Sequence, residues 1–117
     1  ARAQLEKQEA GSLAVSHYGN ILRIPYRDIL YIRHISRYCQ IVTRAGKTVQ
    51  DDRGIKKLFE IIGNERFVFI DRGAFINLDH IQRIENGQAV MTNGDLLPIS
   101  RRLLPRVKFT INRYYGG

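Results

Sequence analysis

Turn-forming residues divide this chain into short apolar stretches along most of its length. Four turn segments separate runs rich in β-branched or aromatic residues: residues 18–20 (YGN), 45–47 (AGK), 85–87 (ENG) and 93–95 (NGD). Glycine and asparagine accept the positive φ that tight hairpins require, so these segments predict hairpin turns. Turns spaced by about eight to twelve residues are typical of an all-β or β-dominated domain of short antiparallel strands.

One segment has helical periodicity instead. Its apolar residues recur at spacings of three and four before a glycine stop, and they are Ile55, Leu58, Phe59 and Ile62. This spacing places them on one face of a helix, and we predict one short helix near residues 53–62. Lys56 and Lys57 lie on its polar face, where a solvated lysine pair is the ordinary interpretation.

The length of 117 residues predicts a single domain. We expect residues 1–12 to be a linker from an upstream domain, residues 13–110 to form the folded domain, and residues 111–117 to be a C-terminal tail. Fraying of the chain is expected to begin at residue 109. No apolar run is long enough for a membrane span, and no cleavable leader is evident. The single cysteine, Cys39, predicts neither a disulfide nor a metal site, and it fits a reducing, cytoplasmic location.

Arginine dominates the charge of the chain. Nineteen Lys and Arg residues against eleven Asp and Glu residues give a net charge of +8, and fourteen of the nineteen are Arg. The planar guanidinium can donate two hydrogen bonds to a phosphate or to the O6/N7 edge of guanine, whereas Lys is a point charge. The net positive charge and the excess of arginine therefore favour nucleic-acid binding. Anionic membranes and acidic proteins are alternative partners.

Known catalytic and DNA-binding patterns are missing from the sequence. It contains no recognisable nucleophile-and-base set, carboxylate pair or phosphate-binding loop, so we expect no enzyme activity and no cofactor. It also lacks helix-turn-helix, zinc-finger and basic-zipper patterns. If the chain binds DNA, loops or strands must contact the bases.

Four blocks, in order along the chain, resemble the LytTR DNA-binding domain: Ile24–Ile32 (IPYRDILYI), the helix with Leu58 and Phe59, Arg66–Ile84 (RFVFIDRGAFINLDHIQRI) and Leu97–Arg102 (LPISRR). They cover most of residues 13–108, and the third block is the most specific because it is a long ordered string. The resemblance implies an elongated fold of about ten strands whose loops enter successive major grooves. It also implies the output domain of a bacterial response regulator.

In that family three places supply the DNA contacts. Their counterparts here are the polar loop with Arg37, Tyr38, Cys39 and Gln40, the break with Arg72, and the segment after the last strand with Ser100, Arg101 and Arg102. The resemblance implies that Arg101 contacts base edges, whereas Ser100 and Arg102 contact phosphates.

Several of these residues also have a purely structural interpretation. Arg72 could pair with its neighbour Asp71, Tyr38 could support its loop, and Cys39 could be a half-buried small hydrophobe. His17 and His34 are interpreted as isolated surface histidines. The phenylalanines are interpreted as core rather than as a stacking platform for single-stranded nucleic acid: Phe59, Phe67, Phe69 and Phe75.

The expected partners follow from the resemblance. They are double-stranded DNA with direct-repeat promoter sites and an upstream receiver domain whose phosphorylation would pair two of these domains on DNA. Two alternatives remain open from the residues alone. One is a small RNA-binding β-barrel, and the other is a protein-interaction module with a basic face.

Overall fold

Ten antiparallel strands and two helices make up the computed structural model, which describes residues 11–116. The strands are β1 (Ser12–His17), β2 (Asn20–Pro25), β3 (Ile29–Ile35), β4 (Tyr38–Thr43), β5 (Thr48–Asp51), β6 (Phe67–Asp71), β7 (Ala74–Asn77), β8 (Ile81–Glu85), β9 (Gln88–Met91) and β10 (Leu96–Pro98). The helices are α1 (Ile55–Ile62) and α2 (Leu104–Tyr115). The predicted β-dominated class is confirmed, and α1 confirms the helix predicted near residues 53–62.

The strands form three sheets. A five-stranded sheet in the order β5-β4-β3-β7-β6 is central, β1 and β2 form a separate hairpin, and β10-β9-β8 form a three-stranded sheet. The predicted turn segments join β1 to β2, β4 to β5, β8 to β9 and β9 to β10. Asn86 and Gly87 have φ of 53° and 73°, the positive values that were expected of this turn.

One face of the central sheet is covered by α1 and the β1–β2 hairpin. Ile32, Ile41 and Phe75 from the sheet are fully buried and pack in one cluster with Leu58 of α1 and Leu13 of β1. A fully buried side chain of this size contributes about 1.5–3 kcal/mol. The apolar spacing of α1 therefore serves to hold the helix on the sheet.

The other face is covered by the three-stranded sheet and α2. Tyr31 and Ile76 from the central sheet share a cluster with Ala89 and Met91 of β9 and with Val107 of α2. Because successive strand residues point to opposite faces, β3 is buried on both sides through most of its length. The central sheet thus separates two apolar layers.

The four phenylalanines predicted as core lie in the first of these layers, whereas Phe109 on α2 is exposed. Phe59 of α1 contacts Phe69 and Phe75, with ring centroids 4.4 and 5.1 Å apart. Phe67 meets Phe75 edge to face, with centroids 5.8 Å apart. These rings are engaged with one another rather than presented as a platform for bases.

The prediction for the C-terminal segment is wrong. Residues 109–117 were expected to fray, but α2 continues to Tyr115 and crosses the boundary predicted at residue 110. Pro105 lies in the first turn, where its missing N–H costs nothing, so it is compatible with the start of the helix. The Tyr114 hydroxyl donates to Asp79 Oδ1 at 2.6 Å, and Tyr115 bonds the Leu78 carbonyl, which ties the last turn to the domain.

At the other terminus, residues 1–10 of the predicted linker lie outside the described residues, and Ser12 already belongs to β1. The middle of β1 is held by Arg53. Its Nη2 donates to the Ala14 carbonyl at 2.7 Å and to Asp51 Oδ2 at 2.6 Å. Burial alone would raise the pKa of Asp51, but the hydrogen bonds from Arg53 outweigh it and lower the pKa.

Replacing Arg53 tests this attachment. Arg53→Met leaves the Asp51 carboxylate, whose side chain is 4% exposed, without its cation, so we expect a loss of about 3 kcal/mol in urea unfolding at pH 7. The lowered pKa of Asp51 means that its stabilisation is present above the unfolded-state pKa and is lost as the pH falls through the folded value. The difference in free energy of unfolding between the wild-type protein and Arg53→Met should therefore shrink towards pH 3.

The matched control for that comparison is Arg44→Met, which breaks the surface pair with Asp28. Because the Arg44 side chain is 60% exposed, its loss should cost less than about 1 kcal/mol. Equal effects of the two substitutions at pH 7 would contradict the structural role given to Arg53.

Truncation tests the second helix. A chain ending at Thr110 loses Ile111 and Tyr114, which pack against the second apolar layer, so we expect the free energy of unfolding to fall by about 2–4 kcal/mol. Urea unfolding of the full chain and of the truncated chain measures this. Equal stability would mean that the segment is a dispensable tail.

Candidate nucleic-acid interface

Two of the three predicted DNA-contacting segments are brought together by strand pairing. The β3–β4 turn contains Ser36 and Arg37, and the β6–β7 turn contains Arg72. Because β3 pairs antiparallel with β7, with Arg33 opposite Ala74, the end of β3 lies beside the start of β7. The backbone N–H of His34 donates to the carbonyl of Gly73 at 2.7 Å. The two turns are therefore neighbours at one edge of the sheet.

The third segment joins them through β6. The Ser100 N–H donates to the Ile70 carbonyl at 2.7 Å, which places the residues after β10 beside the end of β6. The Ser100 carbonyl then accepts from the N–H groups of Leu103 and Leu104, both at 2.9 Å, so Arg101 and Arg102 lie on the turn that leads into α2. We call these three segments, residues 36–37, 71–73 and 100–102, the loop end.

The arginines of the loop end are exposed. They are Arg37, Arg72, Arg101 and Arg102, against the single acidic residue Asp71. Among residues 11–116, none of the four takes part in an ion pair or a side-chain hydrogen bond; the ion pairs found there join other residues. The alternative in which Asp71 holds Arg72 is not observed. The guanidinium donors are available to an anion or to a base edge.

Three predicted site residues belong to a strand rather than a loop. The sequence predicted a polar loop after Ile32, but β3 continues to Ile35 and β4 begins at Tyr38. Tyr38 and Gln40 lie half-buried on one face of β4, whereas Cys39 points to the opposite face and is 1% exposed in the layer under α1. Burial, and then the nearby charge of Asp51, raise the pKa of the thiol. Cys39 therefore packs as a small hydrophobe.

His34 is an exposed histidine, as interpreted, and it also contacts both neighbouring turns. Its Nε2 lies 2.6 Å from the carbonyl oxygen of Ser36, a residue with φ of 55°. A Cβ added to Gly73 would lie 3.5 Å from the His34 Cβ, so the residue also packs against the second turn. No local spacing signalled this role, since the contact depends on the pairing of β3 with β7. His34 connects the two turns that carry Arg37 and Arg72.

Arg33 is a second residue that sequence reasoning did not select. It lies opposite Gln40 in the β3–β4 pair, and its Nε donates to Gln40 Oε1 at 2.8 Å. Both side chains lie on the same face of the sheet as Tyr38. The Arg33–Gln40 pair is two cross-strand pairs away from the Ile35–Tyr38 pair, which adjoins the Ser36–Arg37 turn. It extends the polar surface of the loop end onto the sheet.

The chemistry available at this end is hydrogen-bond donation. Among residues 11–116 no group of three or more His, Cys, Asp or Glu side chains could hold a metal ion. No helix in this part of the chain is long and apolar enough to cross a membrane. Guanidinium groups, one amide and backbone N–H groups suit phosphates and the acceptor atoms of base edges.

Comparison with known proteins identifies the family and the fold. The LytTr DNA-binding domain family profile matches residues 19–112. A solved structure from Bacillus cereus, the LytTr DNA-binding domain of a protein described as a methyl-accepting/DNA response regulator, matches with a TM-score of 0.74 and 13% identity, covering 86% of this chain and 95% of that chain. No curated protein was found to match. Because the profile spans well over half of the sequence, the chain belongs to the LytTr DNA-binding domain family.

Proposed function

We propose that this domain binds double-stranded DNA sequence-specifically through its loop end, as the output domain of a bacterial transcriptional response regulator. The observation that carries the proposal is the convergence of three separate segments, which presents four arginines without protein partners at one end. Guanidinium groups placed in this way can contact both phosphates and guanine edges, so they supply affinity and base discrimination together.

The residues of the three segments make different kinds of contact with the DNA. Arg101 contacts a base edge, Arg72 and Arg37 approach the same duplex from the neighbouring turns, and Ser100 and Arg102 contact phosphates. The two longer dimensions of the domain, 41 and 40 Å, exceed the rise of one DNA turn, about 34 Å. A domain of this size is large enough to reach successive major grooves on one face of the duplex.

Regulation would come from outside this domain. An upstream receiver domain, when phosphorylated, would pair two domains on direct-repeat half-sites, and the tether would raise the apparent affinity through effective concentration. The response-regulator description of the Bacillus cereus structure supports this arrangement. The isolated domain should then bind one half-site as a monomer with lower affinity than the paired form.

Arg101→Ala tests base readout. We expect the ratio of specific to nonspecific DNA affinity to fall by about 5- to 100-fold, because a bidentate arginine–guanine contact contributes about 1–3 kcal/mol of discrimination. Fluorescence anisotropy with a selected duplex and with a scrambled duplex measures the ratio.

Arg113→Ala is the matched control, since it removes the same charge from an exposed position in the last turn of α2. It should weaken both duplexes equally and leave the ratio unchanged. If Arg101→Ala also leaves the ratio unchanged, Arg101 does not contact a base.

His34→Ala tests whether the His34 side chain must order the β3–β4 turn, because alanine keeps the backbone bond and the Cβ contact with Gly73. The substitution removes the bond to the Ser36 carbonyl without changing the formal charge, so specific affinity should fall about 3- to 10-fold while nonspecific affinity stays the same. His34→Gln, whose amide can donate to the same carbonyl, should recover part of the loss. His17→Ala, at an exposed position in the β1–β2 hairpin, serves as the control, and an equal effect of both alanine substitutions would contradict the proposed role.

A further inference from the structure

The Arg33–Gln40 pair lies near the loop end, at the margin of the sheet face that the three-stranded sheet covers. Arg33 is opposite Gln40 on β4 and opposite Ala74 on β7, and Ala74 directly follows the turn that carries Arg72. Gln40 borders two open grooves of about 440 and 460 Å³, and Arg33 borders the first of them. Both side chains are therefore accessible from solvent beside the arginines of the loop end.

The contact between the two side chains fixes the orientation of the amide. A guanidinium has donors and no acceptor, so the Gln40 atom 2.8 Å from Arg33 Nε must be the amide oxygen. The amide nitrogen is left free. Together the pair presents the Gln40 NH₂ group and the terminal nitrogens of Arg33, all of which are donors.

A second layer of contacts holds Arg33 in place. Its guanidinium carbon lies 5.8 Å from the centroid of the Tyr31 ring, within the range of a cation–π interaction. The Tyr31 hydroxyl donates to Asp95 Oδ2 at 2.8 Å, and burial, followed by the bond to and charge of Asp95, raises its pKa to about 12. Tyr31 therefore stays a neutral, fixed support near neutral pH.

The donor-only arrangement has a consequence for base selection. A glutamine that is free to orient recognises adenine, since its oxygen accepts from N6 and its nitrogen donates to N7. While Arg33 Nε donates to the Gln40 oxygen, that oxygen has one lone pair left and its direction is set by Arg33, which disfavours simultaneous contacts to adenine N6 and N7. Guanine presents two acceptors, N7 and O6, in the major groove, which suits two donors.

We propose that Arg33 and Gln40 act as one reading element that selects guanine at one position of the bound DNA. The inference rests on the proposed function, because it requires the loop end to enter a major groove. The Asp95 carboxylate in the groove beside Arg33 disfavours a phosphate there, which makes a base edge the better ligand.

The test is selection from a random duplex library with four proteins. The wild-type domain should enrich a motif with guanine at one position that depends on this pair. Arg33→Met keeps an apolar stem and frees the Gln40 oxygen, so that position should change from guanine to adenine. Gln40→Ala should lower the guanine preference by about tenfold without favouring adenine. Arg23→Met, which removes the same charge from an exposed arginine on β2, should leave every position unchanged.

The outcomes separate the two proposals. A motif in which no position responds to Arg33→Met or Gln40→Ala would overturn the reading element and leave the proposed function standing. A uniform loss of affinity on all sequences with a shallower salt dependence would identify Arg33 as a phosphate contact and would also overturn it. If the wild-type domain enriches no motif, both proposals fail. Circular dichroism of each variant confirms that it is folded, and Gln40→Ala provides the test if Arg33→Met does not fold.

Discussion

The antiparallel pairing of β3 with β4 and β7 is the constraint on which the rest of the molecule depends. β3 contributes Ile32 to one apolar layer and Tyr31 to the other, so both cores form against the same strand. A slip of one residue in its register would exchange these faces and bury Arg33. The same pairing also sets which turns are neighbours. The register of β3 therefore determines both the composition of the core and the position of the candidate interface.

This arrangement explains how turns between strands can form the basic surface of the candidate interface. The backbone bonds from His34 to Gly73 and from Ser100 to Ile70 hold three chain-distant segments at one end. Ordered backbone supports exposed side chains, so the arginines lose less entropy on binding than they would on a free loop. Elsewhere, arginines such as Arg53 and Arg66 are committed to carboxylates. Among residues 11–116, the four arginines of the loop end have no carboxylate partner.

Local pattern predicted the strands, the hairpin turns and α1, because alternation, glycine turns and helical spacing are properties of neighbouring residues. It failed for α2, whose exposed face is rich in charge and whose last turn depends on Leu78 and Asp79, far away in the sequence. The resemblance placed Arg72 and Arg101 at the interface, and their DNA contacts stay predictions. Cys39 was assigned to a loop because β3 and β4 extend further than their apolar residues indicate. Arg33 was missed because its partner, Gln40, comes from the β3–β4 register, and the contact of His34 with Gly73 was missed because it comes from the β3–β7 register.

The most direct test of the account is a titration of the domain with three ligands at two salt concentrations: the duplex enriched by selection, a scrambled duplex and the corresponding single strand. If the domain recognises DNA sequence-specifically, the selected duplex should bind at least about 10³-fold more tightly than the scrambled one at physiological salt, and the single strand should bind no better than the scrambled duplex. Equal binding to all three, decreasing together as salt rises, would show attraction by charge alone and would contradict sequence-specific recognition. Tighter binding to the single strand would instead favour an RNA-binding role.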